Sequence, residues 1–313
     1  MSDNFELSRN MPKSIGYIVL NCLVCALLSS CSAYQTAKIP HDYVLTDAGP
    51  TAEPKTLHRE PYQLIWSDEF DGQDLNTANW GFETGPSWYN KEQQAYTDQN
   101  AFVKEGKLVI EARIENYPEA ISPERYTSSR LLSQGKQSWK YGLFEARIKR
   151  PSGVGVFPAF WMMGNSYDKE KGNWPACGEV GIVEFLHTED VDTWSSAITN
   201  LHYGKTFAEH KSLDSLATAP QFEQVTDAYH TYSFEWTATT MAWYLDGQLQ
   251  APGKIAYTEL PDYDDEFNHQ EFFLLLSFAV GFDMFDGKLI GDPSKSTWPK
   301  KLQVDWVRVY QKD

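Results

Sequence analysis

Two glutamates five residues apart, Glu179 and Glu184, sit in the stretch Trp174-Pro175-Ala176-Cys177-Gly178-Glu179-Val180-Gly181-Ile182-Val183-Glu184-Phe185. A pair of carboxyl groups facing one substrate can supply a nucleophile or base and a general acid, which is what glycoside hydrolysis requires. In a regular strand, residues five apart point to opposite faces, so the two acids share a cleft only where an extra residue bulges between them. Gly181 lies where such a bulge would sit. With the bulge, the carboxyls approach to about 5 Å, the separation of a retaining mechanism. Without it they are two unrelated surface acids, and spacing alone leaves both readings open.

The elements that would position them are strands. Phe144, Ala146 and Ile148 alternate with Glu145, Arg147 and Lys149, and Tyr232, Phe234 and Trp236 alternate with Ser233 and Glu235. This period of two predicts half-buried strands. Met241, Trp243 and Leu245 lead into Asp246-Gly247, a hairpin signal, and Lys107 to Arg113 and Gln303 to Tyr310 read as further strands. Amphipathic helices are scarce. Short strands joined by Gly, Pro and Asp turns predict an all-β, two-sheet antiparallel β-sandwich of the jelly-roll kind.

The chain has 313 residues, 42% hydrophobic and 22% charged, enough for one domain with a buried core and an N-terminal appendage. A net charge of -16 argues against nucleic acid and against polyanionic substrates. Eleven Trp and 17 Tyr supply flat apolar faces, suited to sugar rings or to a large aromatic core. Arg9 and Lys13 precede an apolar stretch from Ile15 to Leu28 that is too short to span a membrane comfortably. Its end, Leu28-Ser29-Ser30-Cys31, resembles a bacterial lipoprotein signal, in which the cysteine carries the lipid. Residues 1–30 are therefore expected to be a signal peptide, 31–60 a tether broken by Pro40, Pro50 and Pro54, and 61–313 the folded domain. Cys22 and Cys25 leave with the signal and Cys31 takes the lipid. That leaves Cys177 alone as a small core residue, with no disulfide expected.

Several segments together resemble glycoside hydrolase family 16, in its laminarinase-like branch. The stretch around Glu179 is similar to that branch's E-I-D-I-x-E, which follows a Trp-Pro and a Cys-Gly. Trp66-Ser67-Asp68-Glu69-Phe70, Asn90 to Thr97, Tyr141 to Arg147, Pro158 to Met162, Leu201-His202-Tyr203-Gly204 and Val304 to Tyr310 fall in the family's order. The similarity spans about residues 63 to 311.

The resemblance implies Glu179 as nucleophile and Glu184 as general acid and base. It implies Asn90 and Arg130 as donors to sugar hydroxyls, Trp161 and Trp174 as stacking faces, and His202 as a contact on the far side, with Trp88 and Trp139 as weaker candidates. Read from the residues alone, the alternatives are Arg130 as a surface ion-pair residue, Trp161 as a core residue and His202 as an interior imidazole. Glu69, Gly106 and Asp305 match positions of a structural calcium; no organic cofactor is implied. Two departures stand out. Gly181 replaces the motif's Asp, a loss expected to cost about 100- to 10,000-fold in rate, with His187 or a water as substitutes. Ser277 and Phe282 replace an Asn and a Gly and are expected to reshape the cleft wall.

The expected function is retaining endo-hydrolysis of β-1,3-glucan or mixed-linkage β-1,3/1,4-glucan by a monomer lipid-anchored at the bacterial outer membrane. The alternatives are a glycan-binding lipoprotein that kept the cleft without efficient chemistry, and a relative acting on agar or carrageenan or transferring glycosyl groups.

Overall fold

The structure, a computed structural model, describes residues 61–86, 89–118, 125–186, 196–217, 228–281 and 291–312. The proposed signal and tether, Cys31, Trp88, His187 and Phe282 lie outside them.

Eighteen strands are described. The first seven are β1 Gln63–Asp68, β2 Gly81–Phe82, β3 Ala95–Tyr96, β4 Ala101–Val103, β5 Leu108–Ile114, β6 Tyr126–Ser128 and β7 Arg130–Leu132. Next come β8 Gly142–Lys149, β9 Val156–Gly164, β10 Glu179–Leu186, β11 Ser196–Tyr203, β12 Lys211–Ala217 and β13 His230–Trp236. The last five are β14 Thr240–Leu245, β15 Gln248–Leu249, β16 Ile255–Ala256, β17 Phe272–Val280 and β18 Lys300–Gln311. Helical segments among the described residues are single 3₁₀ turns. None is long and apolar enough to cross a membrane.

The strands form two sheets. One runs β15-β14-β13-β8-β18-β5-β6-β3, with β1, β4 and β16 attached alongside; the other runs β12-β11-β10-β9-β17-β7-β2. Pairing is antiparallel except between β3 and β6. The alternating residues do what their period demands: Phe144, Ala146, Ile148, Tyr232, Phe234, Trp236, Met241, Trp243 and Leu245 all enter one core. Asp246 and Gly247 both take positive φ, 47° and 78°, which joins β14 to β15 through a tight hairpin.

Strands β9 and β17 behave differently. Every residue of VFPAFWMMG and FFLLLSFAV is buried. They lie at the centre of the seven-stranded sheet, with the intersheet core on one side and a second apolar cluster on the other. Burial on both faces removes the period-two signal. This double burial makes a stiff floor for whatever the outer face carries.

Candidate active site

Strand β10 carries both glutamates and contains the bulge. Gly181 pairs with Trp161 of β9, yet the next partner, Phe160, faces Val183, so Ile182 is the extra residue. The same shift occurs against β11, where Gly181 faces Asn200 and Glu184 faces Ile198. Val180, Ile182, Val183 and Phe185 consequently all enter the intersheet core, and Glu179, Gly181 and Glu184 share the outer face.

Three cross-strand rows make up that face. The first joins Phe273, Met163, Glu179 and His202. The second joins Leu275, Trp161, Gly181 and Asn200, and the third Arg130, Ser277, Ala159, Glu184 and Ile198. Around the glutamates, Ala159, Trp161, Met163, Cys177, Phe273 and Leu275 form the outer apolar cluster, with Trp174 packed against it.

The two acids occupy unlike settings. Glu179 is partly exposed, and the Trp174 indole donates a 2.9 Å hydrogen bond to its Oε2. Glu184 is 9% exposed, and its carboxyl is pushed up to about 8. Burial is the main cause and the charge of Glu179 the second; a hydrogen bond from Asn200 works in the opposite direction. At neutral pH Glu184 therefore holds its proton, as a general acid must.

The bulge is held through both backbone polar groups of one residue, Gly181. Asn200 Oδ1 accepts from Gly181 N–H at 3.0 Å, and the Trp243 indole reaches from the opposite sheet to donate to Gly181 O at 3.0 Å. Neither contact is visible in the sequence. Trp243 reads as a core aromatic on a half-buried strand, and nothing in its pattern reveals a polar partner across the sandwich.

The implied binding residues fare unequally. Trp174 is half-buried and lies in a group of rings, 4.7 Å from His210 and 5.7 Å from Phe207, with Phe207 73% exposed. Neither His210 nor Phe207 was anticipated; the available signal was an aromatic in an exposed turn just after His202-Tyr203-Gly204. His202 is buried, its Nδ1 2.9 Å from His210 Nε2 and its Nε2 3.8 Å from Glu179 Oε1. An imidazole pair at that distance needs one donor and one acceptor. Burial, and then the neighbouring His202, accordingly push His210 down.

Arg130 is a buried residue, not a surface one. Its Nε lies 2.6 Å from Glu83 Oε2 and its guanidinium 4.6 Å from the Trp161 ring. Trp161 is 8% exposed, and its indole donates to Ser277 Oγ at 3.1 Å. With Arg130 over its face, Trp161 presents little open surface, and Ser277 acts as an anchor for that ring. Asn90 is exposed in a left-handed turn (φ 58°), and no described contact links it to either glutamate. Trp139 is buried in the intersheet core beside Phe144, away from the outer face. Cys177 is a free thiol with no exposed surface, pushed up to about 12 by burial and then by Glu179, and so is inert.

Of the residues implied for calcium, both carboxylates are engaged with cations. Both oxygens of Glu69 are held by Arg308 at 2.9 and 2.8 Å. Asp305 is paired with Arg147 at 2.5 Å and has Lys107 at 3.9 Å. A calcium ion would need six to eight oxygens and would displace or face these cations. Gly106 lies in the left-handed region (φ 69°), which accounts for it as a turn residue.

A jelly-roll sandwich carrying two carboxyls on its outer face, one buried and one hydrogen-bonded, has the arrangement that two-carboxylate glycoside hydrolysis needs. Residues 63–312 match the family model described as the GH16 domain of beta-porphyranase A-D. The chain belongs to glycoside hydrolase family 16. It is 34% identical to a beta-glucanase of Rhodothermus marinus over 80% of its own length and 85% of that protein's. It is 33% identical to glucan endo-1,3-beta-glucosidase A1 of Niallia circulans over 79% of its own length, but spans only 38% of that protein. Among solved structures, it matches the laminarinase catalytic domain of Thermotoga petrophila RKU-1 with a TM-score of 0.68. The two are 34% identical, and the match covers 80% of this chain and 98% of that one.

Proposed function

We propose that the protein is a retaining endo-hydrolase of β-1,3-glucan or mixed-linkage β-1,3/1,4-glucan, with Glu179 as nucleophile and Glu184 as acid and base. In the first step a Glu179 oxygen attacks the anomeric carbon while Glu184 gives its proton to the departing glycosidic oxygen. The C–O bond breaks and a glycosyl ester forms. In the second, the ionised Glu184 takes a proton from water, whose oxygen displaces the ester. Glu179 returns as carboxylate, and the proton remains on Glu184. The Trp174 bond holds the Glu179 carboxylate in one orientation through both steps.

The observation that carries this reading is the extra residue Ile182, which turns both carboxyls to one face. The choice of glucan is supported by the named substrates of the relatives from Rhodothermus marinus and Niallia circulans. The test is release of reducing ends from laminarin and from mixed-linkage glucan by the full chain in detergent. Glu179→Gln is expected to be at least about 10,000-fold slower. Unchanged cleavage by that variant would refute the assignment.

A second reading, hydrolysis of a sulfated galactan, is favoured by the description of the matching family model. The net charge of -16 argues against it, and porphyran in the same assay decides between the two.

Export and lipidation at Cys31 are part of the proposal, supported by the charged and apolar segments before that residue. Cys31→Ser is expected to shift the protein from the membrane fraction to the soluble fraction.

A further inference from the structure

Gly181 is the residue whose side chain the bulge excludes. A Cβ built there would lie 2.4 Å from Asn200 Oδ1 and 2.8 Å from its Cγ, closer than real Cβ atoms come to anything. The crowding atoms are a side chain and not backbone. Any residue with a Cβ at 181 can therefore be accommodated only by moving the Asn200 amide.

That amide is engaged on both sides. Its Oδ1 accepts from Gly181 N–H, which identifies the remaining end as the NH₂ group. Glu184 stands one row further along the same outer face, and a hydrogen bond from the Asn200 side chain favours its ionised form, so the NH₂ is the donor. Asn200 is 4% exposed and directly opposite Gly181 in the β10–β11 register, so it is held where it acts.

We propose that Asn200 is the positioning residue for the acid Glu184, and that Gly181 is present because only a residue without a Cβ leaves room for it. The inference rests on the hydrolase reading for its consequence in catalysis, although the geometry stands apart from it. An amide delivered from the neighbouring strand occupies the space where the family resemblance places an Asp carboxyl, and adds no second negative charge beside Glu179. Gly181 and Asn200 thus form an exchange pair: with the Asn200 amide in this place, the family's usual residue at 181 does not fit.

The test uses four variants of the full chain, each checked for native folding by near-ultraviolet circular dichroism: Asn200→Ala, Asn200→Asp, Gly181→Ala and the double Gly181→Ala/Asn200→Ala. Kinetics on the preferred glucan are read beside a carbon-13 titration of the Glu184 carboxyl. Asn200→Ala is expected to lower kcat roughly tenfold to a hundredfold with little change in KM. It should also move the Glu184 titration upward, because the ionised form loses a donor. Asn200→Asp preserves shape and the bond from Gly181 N–H yet adds charge, so it should move the titration further up. Gly181→Ala should reproduce Asn200→Ala, and the double variant should be no worse than either single, since both remove one contact.

Independent, additive losses from Gly181→Ala and Asn200→Ala would overturn the proposal, as would a Glu184 titration unmoved by Asn200→Asp. A parent inactive on every glycan would instead defeat the hydrolase reading, and the titration would still judge the Asn200 contact.

Discussion

At the residue scale, the division of labour proposed for Glu179 and Glu184 comes from environment, since the two side chains are chemically identical. Glu184 is buried and pushed up to about 8, mainly by burial and then by Glu179. It acts as an acid only while protonated, so kcat/KM is expected to fall as pH rises through about 8, and a pH–rate profile checks this. The same group links stability to pH. Its folded pKa lies above the ordinary value of 4.5, so the folded state holds a proton that the unfolded state releases. Its contribution to stability is then fully present below about pH 4.5 and is lost as pH rises toward about 8. Glu184→Gln should therefore raise Tm more at pH 8 than at pH 5; an equal shift at both would contradict the linkage. The two acids stood out in the sequence because carboxylates in an apolar strand are conspicuous, while their pairing rested on the family resemblance. Asn200 was not, because its role depends on the β10–β11 register and on the missing Cβ at 181.

At the scale of elements, β10 works because its bulge is anchored by the opposite sheet. The Trp243 indole donates to Gly181 O inside the core. Trp243→Phe keeps the ring but leaves a buried carbonyl unsatisfied. It is expected to cost about 1–3 kcal/mol in denaturant unfolding and to lower kcat more than it changes KM. Unchanged stability would show that the bulge is held elsewhere. Sequence periodicity served well for β8, β13 and β14, which face the core on one side only. It could not resolve β9 and β17, whose two faces are both apolar. The bulge itself was inferable, because five-residue spacing brings the acids together only with one extra residue.

At the scale of the molecule, the sandwich and its family were legible from segment order. Glu69 and Asp305 recur in sequence as oxygen donors, but Arg308, Arg147 and Lys107 take up their charge. Calcium at millimolar concentration is accordingly expected to leave Tm within about one degree of its value in chelator; a clear rise would mean those ion pairs give way to the metal. The net charge of -16 has a further consequence. Cleavage of a neutral glucan should vary less than about twofold with ionic strength, since screening has no substrate charge to act on. A steep rise with salt would point to an anionic substrate.

The central claim is that the bulge sets Glu179 and Glu184 for double displacement, and its most direct measurement is mass spectrometry of the protein after reaction with a 2-fluoro glucosyl inactivator carrying a good leaving group. One label per chain, on the peptide containing Glu179 and specifically on that residue, is the predicted result. Full turnover without a label, together with release of the inverted anomer first, would contradict it.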